Sequence, residues 1–194
     1  MHILEDERSV YRPDEVRSPL PARLHHNAWV VEDQARTRDF YEGVLGFKLT
    51  AFWIETEPFE GEQLVLSHAF YALADGSALA FFCLDDPQHK ETFRSPTTQV
   101  FNHLALTVTP ADQDELARRI IAAGLHSFTI DHGYCTSLYV MDPDGLRLEF
   151  TVDAPGVEDI DTRQRTDADM WFQRWTAGDR RSNNALYTGG RGHG

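Results

Sequence analysis

Three side chains in this sequence have the types and placement to hold a metal ion: His26, His103 and Glu149. The two histidines open similar runs, H-N-A-W-V-V from His26 and H-L-A-L-T-V from His103, which begin 77 residues apart. Glu149 lies in a run where Leu146, Leu148, Phe150 and Val152 alternate with Arg147, Glu149 and Thr151. Its carboxylate therefore occupies the strand face opposite a continuous apolar row. A lone histidine on a strand usually packs or faces solvent, but two at the same position of a repeated unit, with a carboxylate on the last strand, form a set. Two imidazole nitrogens and one carboxylate, with coordination positions left over for substrate, suit a divalent first-row metal. His25 alternates to the other strand face from His26, and a register shift of one residue would exchange them.

The elements that must position these groups are legible from turn chemistry and periodicity. D-P-D-G at 142–145 joins two apolar-rich runs and predicts a β-hairpin over 137–153. Upstream, an alternating strand from Arg23 leads into a helix over 35–44 with Gly46 as its C-terminal cap. A strand over 47–54, an acidic loop over 55–62, a strand over 64–73, an Asp75-Gly76 turn and a strand over 78–84 complete a β-α-β-β-β unit. Residues 85–99 are polar, hold two prolines and show no period, which predicts a linker. The order then repeats: a strand over 101–108, a helix over 110–123 capped by Gly124, a short strand over 128–130, and the hairpin. D-G-S-A-L-A-F-F from Asp75 matches D-G-L-R-L-E-F-T from Asp144, which sets Ala80 where the second copy has Glu149. An internal duplication accounts for the pattern.

The expected domains are an arm over 1–21, a domain over 22–153 with modules 22–84 and 100–153, and a tail over 154–194. In the tail, Met170, Trp171, Arg174 and Trp175 fall at helical spacing, which predicts a short helix from Thr166 that lays both tryptophans on the domain, with a lid over a pocket mouth as the alternative. The closing G-G-R-G-H-G is expected to be disordered, with His193 no ligand. A formal charge of −13 and pI near 5.0 argue against a nucleic-acid partner. Cys83 and Cys135 make no disulfide framework, the first residues lack a signal-peptide pattern, and no apolar run is long enough to span a bilayer. The expectation is a cytoplasmic protein with no membrane partner.

In this order and spacing, H-H-N-A-W-V-V-E-D, F-Y-E-G-V-L-G-F, N-H-L-A-L-T-V and Y-V-M-D-P-D-G-L-R-L-E-F resemble the vicinal oxygen chelate superfamily, which includes glyoxalase I, antibiotic-resistance proteins and extradiol dioxygenases. The resemblance implies an α+β fold in which two βαβββ modules form a U-shaped mixed sheet around a metal held by His26, His103 and Glu149. Ala80 removes the fourth ligand of glyoxalase-type members, leaving the three-ligand pattern of the extradiol enzymes. By that likeness the protein is a ring-cleavage dioxygenase taking a catecholic aromatic diol and O₂. Fe(II) is the metal implied, with Mn(II), Zn(II) or Ni(II) as alternatives, and a homodimer is an open state. Tyr139 matches the active-site tyrosine of the family, and His132 resembles a histidine that stands behind the metal ligands in some members, a turn residue being the other reading. A five-residue loop over 142–146 makes Tyr139 and Glu149 cross-strand partners, whereas a four-residue loop opposes them. One departure stands: Ser77 occupies the position of the usual extradiol catalytic histidine, which leaves His68 or His132 to move protons. The alternative functions are a non-redox isomerase or lyase using another divalent metal, and a resistance protein that sequesters its ligand.

Overall fold

A computed structural model describes residues 23–98, 101–184 and 189–193. The arm expected over 1–21 lies outside the described residues. The chain divides into two compact units, Met1–Ser95 and Pro96–Gly194, and the division falls inside the segment read as a linker. Among the described residues, no helix is long and apolar enough to cross a membrane.

The first unit is one mixed sheet in the order β1-β4-β3-β2, formed by β1 (His26–Val30), β2 (Leu49–Phe59), β3 (Glu62–Ala72) and β4 (Ala78–Leu84). β1 pairs parallel with β4 and the other pairings are antiparallel. A parallel pair needs a crossover, and the helical segment after β1 begins it. Asp33 caps α1 (Gln34–Arg38), its carboxylate accepting from the Arg36 amide at 2.8 Å. The helix then widens to a π turn over Asp39–Val44, where the Leu45 amide donates to the Phe40 carbonyl. Phe40 and Tyr41 are both buried as a result. Tyr41 packs on Phe81 at 4.6 Å and Tyr71 at 5.4 Å between ring centroids, on the sheet face that also buries Leu79. Burying each such ring contributes roughly 1.5–3 kcal/mol.

In the second unit the order is β5-β8-β7-β6-β9, with β5 (Leu104–Thr107), β6 (Ser127–Asp131), β7 (Cys135–Met141), β8 (Arg147–Asp153) and β9 (Gly189–His193). Thr109 caps α3 (Pro110–Ala122), with Pro110 in the first turn where its missing N–H costs nothing. Leu116 and Ile120, one turn apart, are buried, as are Leu148 and Phe150 of β8 and Leu138 and Val140 of β7. Elements and order follow the first unit, and the registers match as well: Ala80 pairs with Ala28, and Glu149 pairs with Ala105.

Five sequence readings are corrected. The stretch read as an acidic loop is mostly strand: β2 runs to Phe59, and only Glu60-Gly61 turns, with φ of 49° and 87°. Pro58 is tolerated there because β2 is the sheet edge. The linker holds α2 (Pro87–Phe93), which starts on an Asp86 cap and Pro87 and has no buried residue to leave an apolar period. The C-terminal helix α4 spans Val157–Thr176, nine residues earlier at its start than expected, with Glu158 and Asp159 favouring its positive end. Trp175 does not pack on the domain; it is 61% exposed, with the Arg180 guanidinium 4.0 Å from its ring. Residues 189–193, expected to be disordered, pair antiparallel with β6.

Burial pushes the Tyr71 phenol up to about 12. An unfolded tyrosine ionises near pH 10, so between those values the unfolded chain gives up a proton that the folded chain keeps. The stability from this group is complete below about pH 10 and is lost as pH rises toward 12. Urea unfolding midpoints should fall from pH 9 to pH 11, and Tyr71→Phe should flatten that slope.

Candidate metal centre

In the second unit, β-sheet register brings the chemistry to one row. Glu149 is the cross-strand partner of Tyr139, so the five-residue loop holds, and Phe128 on β6 is the partner of Tyr139 on its other side. All three project from the sheet face opposite α3, since residues paired across a sheet point the same way. Glu149 is only 5% exposed, and a buried carboxylate must be paired. Each of its oxygens has a partner. The Tyr139 hydroxyl donates to Oε1 at 2.8 Å, and His103 Nε2 lies 2.6 Å from Oε2. Phe128 stacks on Tyr139 at 4.9 Å and 14°, which holds the phenol in the row.

His103 sits just before β5, and its Nδ1 lies 3.0 Å from the Phe101 carbonyl. That carbonyl accepts only, so Nδ1 carries a proton and Nε2 is the nitrogen turned to Glu149. An N–H to a backbone carbonyl is the arrangement that fixes a metal-ligating imidazole. Nε2 and Oε2, 2.6 Å apart, are both electron-pair donors of the types a divalent cation takes. The pair therefore fits a metal of the nitrogen and oxygen class.

Tyr139 has a second bond: its hydroxyl lies 2.9 Å from His132 Nε2. Because the phenol proton goes to Glu149, His132 Nε2 donates. A relay of four side chains results, His132 to Tyr139 to Glu149 to His103. Burial, and then the bond to Glu149, push the Tyr139 phenol well above its ordinary range, so it stays a neutral donor. His132 is also a turn residue, as the sequence allows: its amide donates to the Cys135 carbonyl. Sequence reasoning missed Phe128 and the Phe101 carbonyl; the first carries only a strand signal, and the second leaves none in side-chain pattern.

His26 belongs to the first unit. On the face with Ala80 it lies edge-on to Phe70 at 5.5 Å and to His68 at 6.2 Å, and its Nδ1 is 2.7 Å from His25 Nδ1. His68 stacks on Phe82 at 3.7 Å, and burial lowers its pKa despite Glu55. A neutral ring there is poorly placed as a proton donor. Ser77 is a turn residue whose amide and hydroxyl both bind the Asp75 carboxylate, so it offers no acid or base. Among the described residues, no three His, Cys, Asp or Glu side chains are grouped to hold a metal, and the structure itself assembles His103, Glu149, Tyr139 and His132.

A family model described as Glyoxalase/Bleomycin resistance protein/Dioxygenase superfamily matches residues 23–150. Among curated proteins, the glutathione transferase FosA of Serratia marcescens is 25% identical over 149 residues, which cover 77% of this chain and 94% of that protein. The fosfomycin resistance protein FosX of Listeria monocytogenes has the same fold, at a TM-score of 0.53 and 19% identity, covering 71% of this chain and 98% of its own. A mutant of that protein complexed with Mn(II) and 1S,2S-dihydroxypropylphosphonic acid aligns at 0.50 and 20% identity, covering 71% and 97%.

Proposed function

The chain belongs to the Glyoxalase/Bleomycin resistance protein/Dioxygenase superfamily, and from that premise we propose that it is a non-redox enzyme that uses a divalent metal to open a small phosphonate epoxide of the fosfomycin type with a nucleophile. Of the readings the sequence leaves open, the non-redox one has the better support, although the sequence itself frames it as an isomerase or lyase and not as epoxide opening. The curated relative is a transferase, and the position just before β4 where the acid-base histidine of ring cleavage would stand holds Ser77 in a turn. The observation that carries the reading is the relay on Glu149, in which one carboxylate oxygen is held by Tyr139 and the other is turned to His103.

His103 and Glu149 would hold the metal, with His26 the third ligand on the strength of the sequence repeat. Mn(II) comes first among the candidates because the Listeria protein was crystallised with it, and Fe(II) loses its priority. The bound cation supplies a Lewis acid for a substrate oxygen. The chain's own residues prepare that site. Tyr139 donates to Oε1 and so leaves Oε2 as the face for the cation; His132 donates to Tyr139 and fixes the phenol rotor.

Arg147 projects from the same face as Glu149, two residues away and so roughly 7 Å along the strand, with its guanidinium 5.8 Å from the Phe128 ring. It is the cation we assign to the phosphonate. Arg147→Ala is expected to raise KM for fosfomycin about tenfold, equivalent to roughly 1.4 kcal/mol, with kcat within about twofold. Initial rates over a range of fosfomycin concentrations check this.

The function is tested by loading the protein with Mn(II) and following fosfomycin by ³¹P NMR with and without glutathione, beside oxygen uptake on a panel of catechols with the Fe(II) form. Metal-dependent loss of the fosfomycin resonance is the expected result. Oxygen uptake on a catechol with fosfomycin untouched would overturn it in favour of ring cleavage.

A further inference from the structure

The C-terminal segment closes on a single turn of the second unit. At its start the Ala154 amide donates to the Tyr134 carbonyl at 2.9 Å, and at its end the Asn184 side-chain amide donates to the His132 carbonyl, also at 2.9 Å. Residues 154–184 thus form a strap whose two ends meet on the turn between β6 and β7. The far end is stiffened by Asp179, whose carboxylate takes both Arg174 and Arg181 and is held well below the usual carboxylate range. The whole of this strap lies beyond the residues the family model matches.

Beneath α4 is a cavity of about 680 Å³, in the size range of small-molecule sites. The helix presents to it Ile160, Arg163, Gln164, Asp167 and Trp171, which recur at three, four and seven residues and so share one face. That face is mostly polar, while Met170, Phe172 and Trp175 are exposed. An ordinary surface helix turns its apolar stripe inward and its charges outward. No residue of α4 is fully buried, and the face that carries Ile160, Asp167 and Trp171 is only half covered.

The charges on this face differ in what already holds them. Arg163 donates to the Asp159 carbonyl at 3.4 Å in its own helix, and Asp161, also on the cavity, has Arg165 at 3.6 Å. Asp167 lies one turn before Trp171, and Tyr134 stands on the strand side of the cavity. Trp171 also borders a smaller neighbouring cavity of about 310 Å³, where the Arg174 guanidinium covers its ring at 4.3 Å. The indole therefore already receives one cation within the protein. A cavity lined by both a carboxylate and two aromatic rings suits a positively charged nitrogen on a planar or apolar body.

We propose that the cavity under α4 is a binding site for a small organic amine, the ammonium meeting Asp167 and the body lying between Trp171 and Tyr134. The site is built by the strap and the turn that carries Tyr134; it adjoins His132 but uses none of the proposed metal ligands.

Tyramine is the probe, with 3-(4-hydroxyphenyl)propionate as its anionic counterpart of similar shape, each titrated calorimetrically into the full-length protein. Saturable tyramine binding is expected, at least tenfold tighter than that of the acid, and Asp167→Asn should weaken tyramine at least tenfold while leaving the acid within twofold. Trp171→Phe keeps an aromatic face and should weaken tyramine less than Trp171→Ala does. Glu149→Ala protein should bind tyramine as the wild type does, so the failure of the metal site and the failure of this site are separate results. Absence of saturable tyramine binding, equal binding of the acid, or unchanged affinity in Asp167→Asn overturns the proposal.

Discussion

Glu149→Ala is expected to lower Mn(II) affinity by a factor on the order of 100 or more and to remove fosfomycin turnover. Losing a residue that only supports a ligand typically costs roughly 10- to 100-fold in metal affinity, and this substitution removes a ligand that also organises its neighbours. Without the carboxylate, the buried Tyr139 hydroxyl loses its acceptor, at a cost of about 1–3 kcal/mol, and His103 loses the oxygen opposite Nε2. Glu149→Gln separates the contributions. It keeps the shape and an oxygen for Tyr139, so its folding stability should stay close to that of the wild type, while the loss of the negative charge still weakens the cation. Mn(II) titration followed by electron paramagnetic resonance reads the affinity, and urea unfolding reads the stability. Unchanged Mn(II) affinity in both variants would sink the site. His26→Ala measured the same way tests the third ligand: affinity within tenfold of the wild type would remove His26 from the set.

The partnership of Tyr139 and Glu149 is legible in the sequence because it depends on counting: a five-residue loop between two alternating strands fixes which side chains face each other. The equivalence of Ala80 and Glu149 is legible for the same reason, since duplicated strands keep their registers. What pattern cannot show are contacts made through backbone carbonyls. The Phe101 carbonyl that orients His103 belongs to an exposed residue, and the carbonyls of Tyr134 and His132 that close the strap give no side-chain signal. The second half of edge strand β2 is hidden by its glutamates, and α2 by the absence of a buried face. His132 stands between a turn role and a relay role in the sequence, and geometry gives it both: its backbone makes the turn, and its ring bonds Tyr139.

Gly145→Ala is expected to destabilise the protein by about 3 kcal/mol, a large effect for one methyl group, and the cost has two separable sources. Gly145 has φ of 89°, where a side chain costs about 1–2 kcal/mol, and an added Cβ would stand 2.7 Å from Thr97 Oγ1, 2.8 Å from its Cγ2 and 3.0 Å from its Cβ. Thr97 has little room to retreat, because the next residue is tied to the same turn. The Thr98 amide and hydroxyl both donate to the Gly145 carbonyl, and the Arg147 amide donates to the Thr98 hydroxyl. Within the turn, Asp142 Oδ1 accepts from the Asp144 and Leu146 amides, so the loop that sets the register is held from both sides. In a Thr97→Gly background the clash disappears and only the backbone cost should remain, so Gly145→Ala should then lose about 1–2 kcal/mol. A double-mutant cycle by urea unfolding reads the difference as a coupling energy. An equal cost in the two backgrounds would show that Thr97 does not press on the turn, and a neutral Gly145→Ala would remove the backbone argument too. The same substitution should weaken Mn(II) binding, because the register fixed at 142–146 is what sets Tyr139 against Glu149 three residues into each strand.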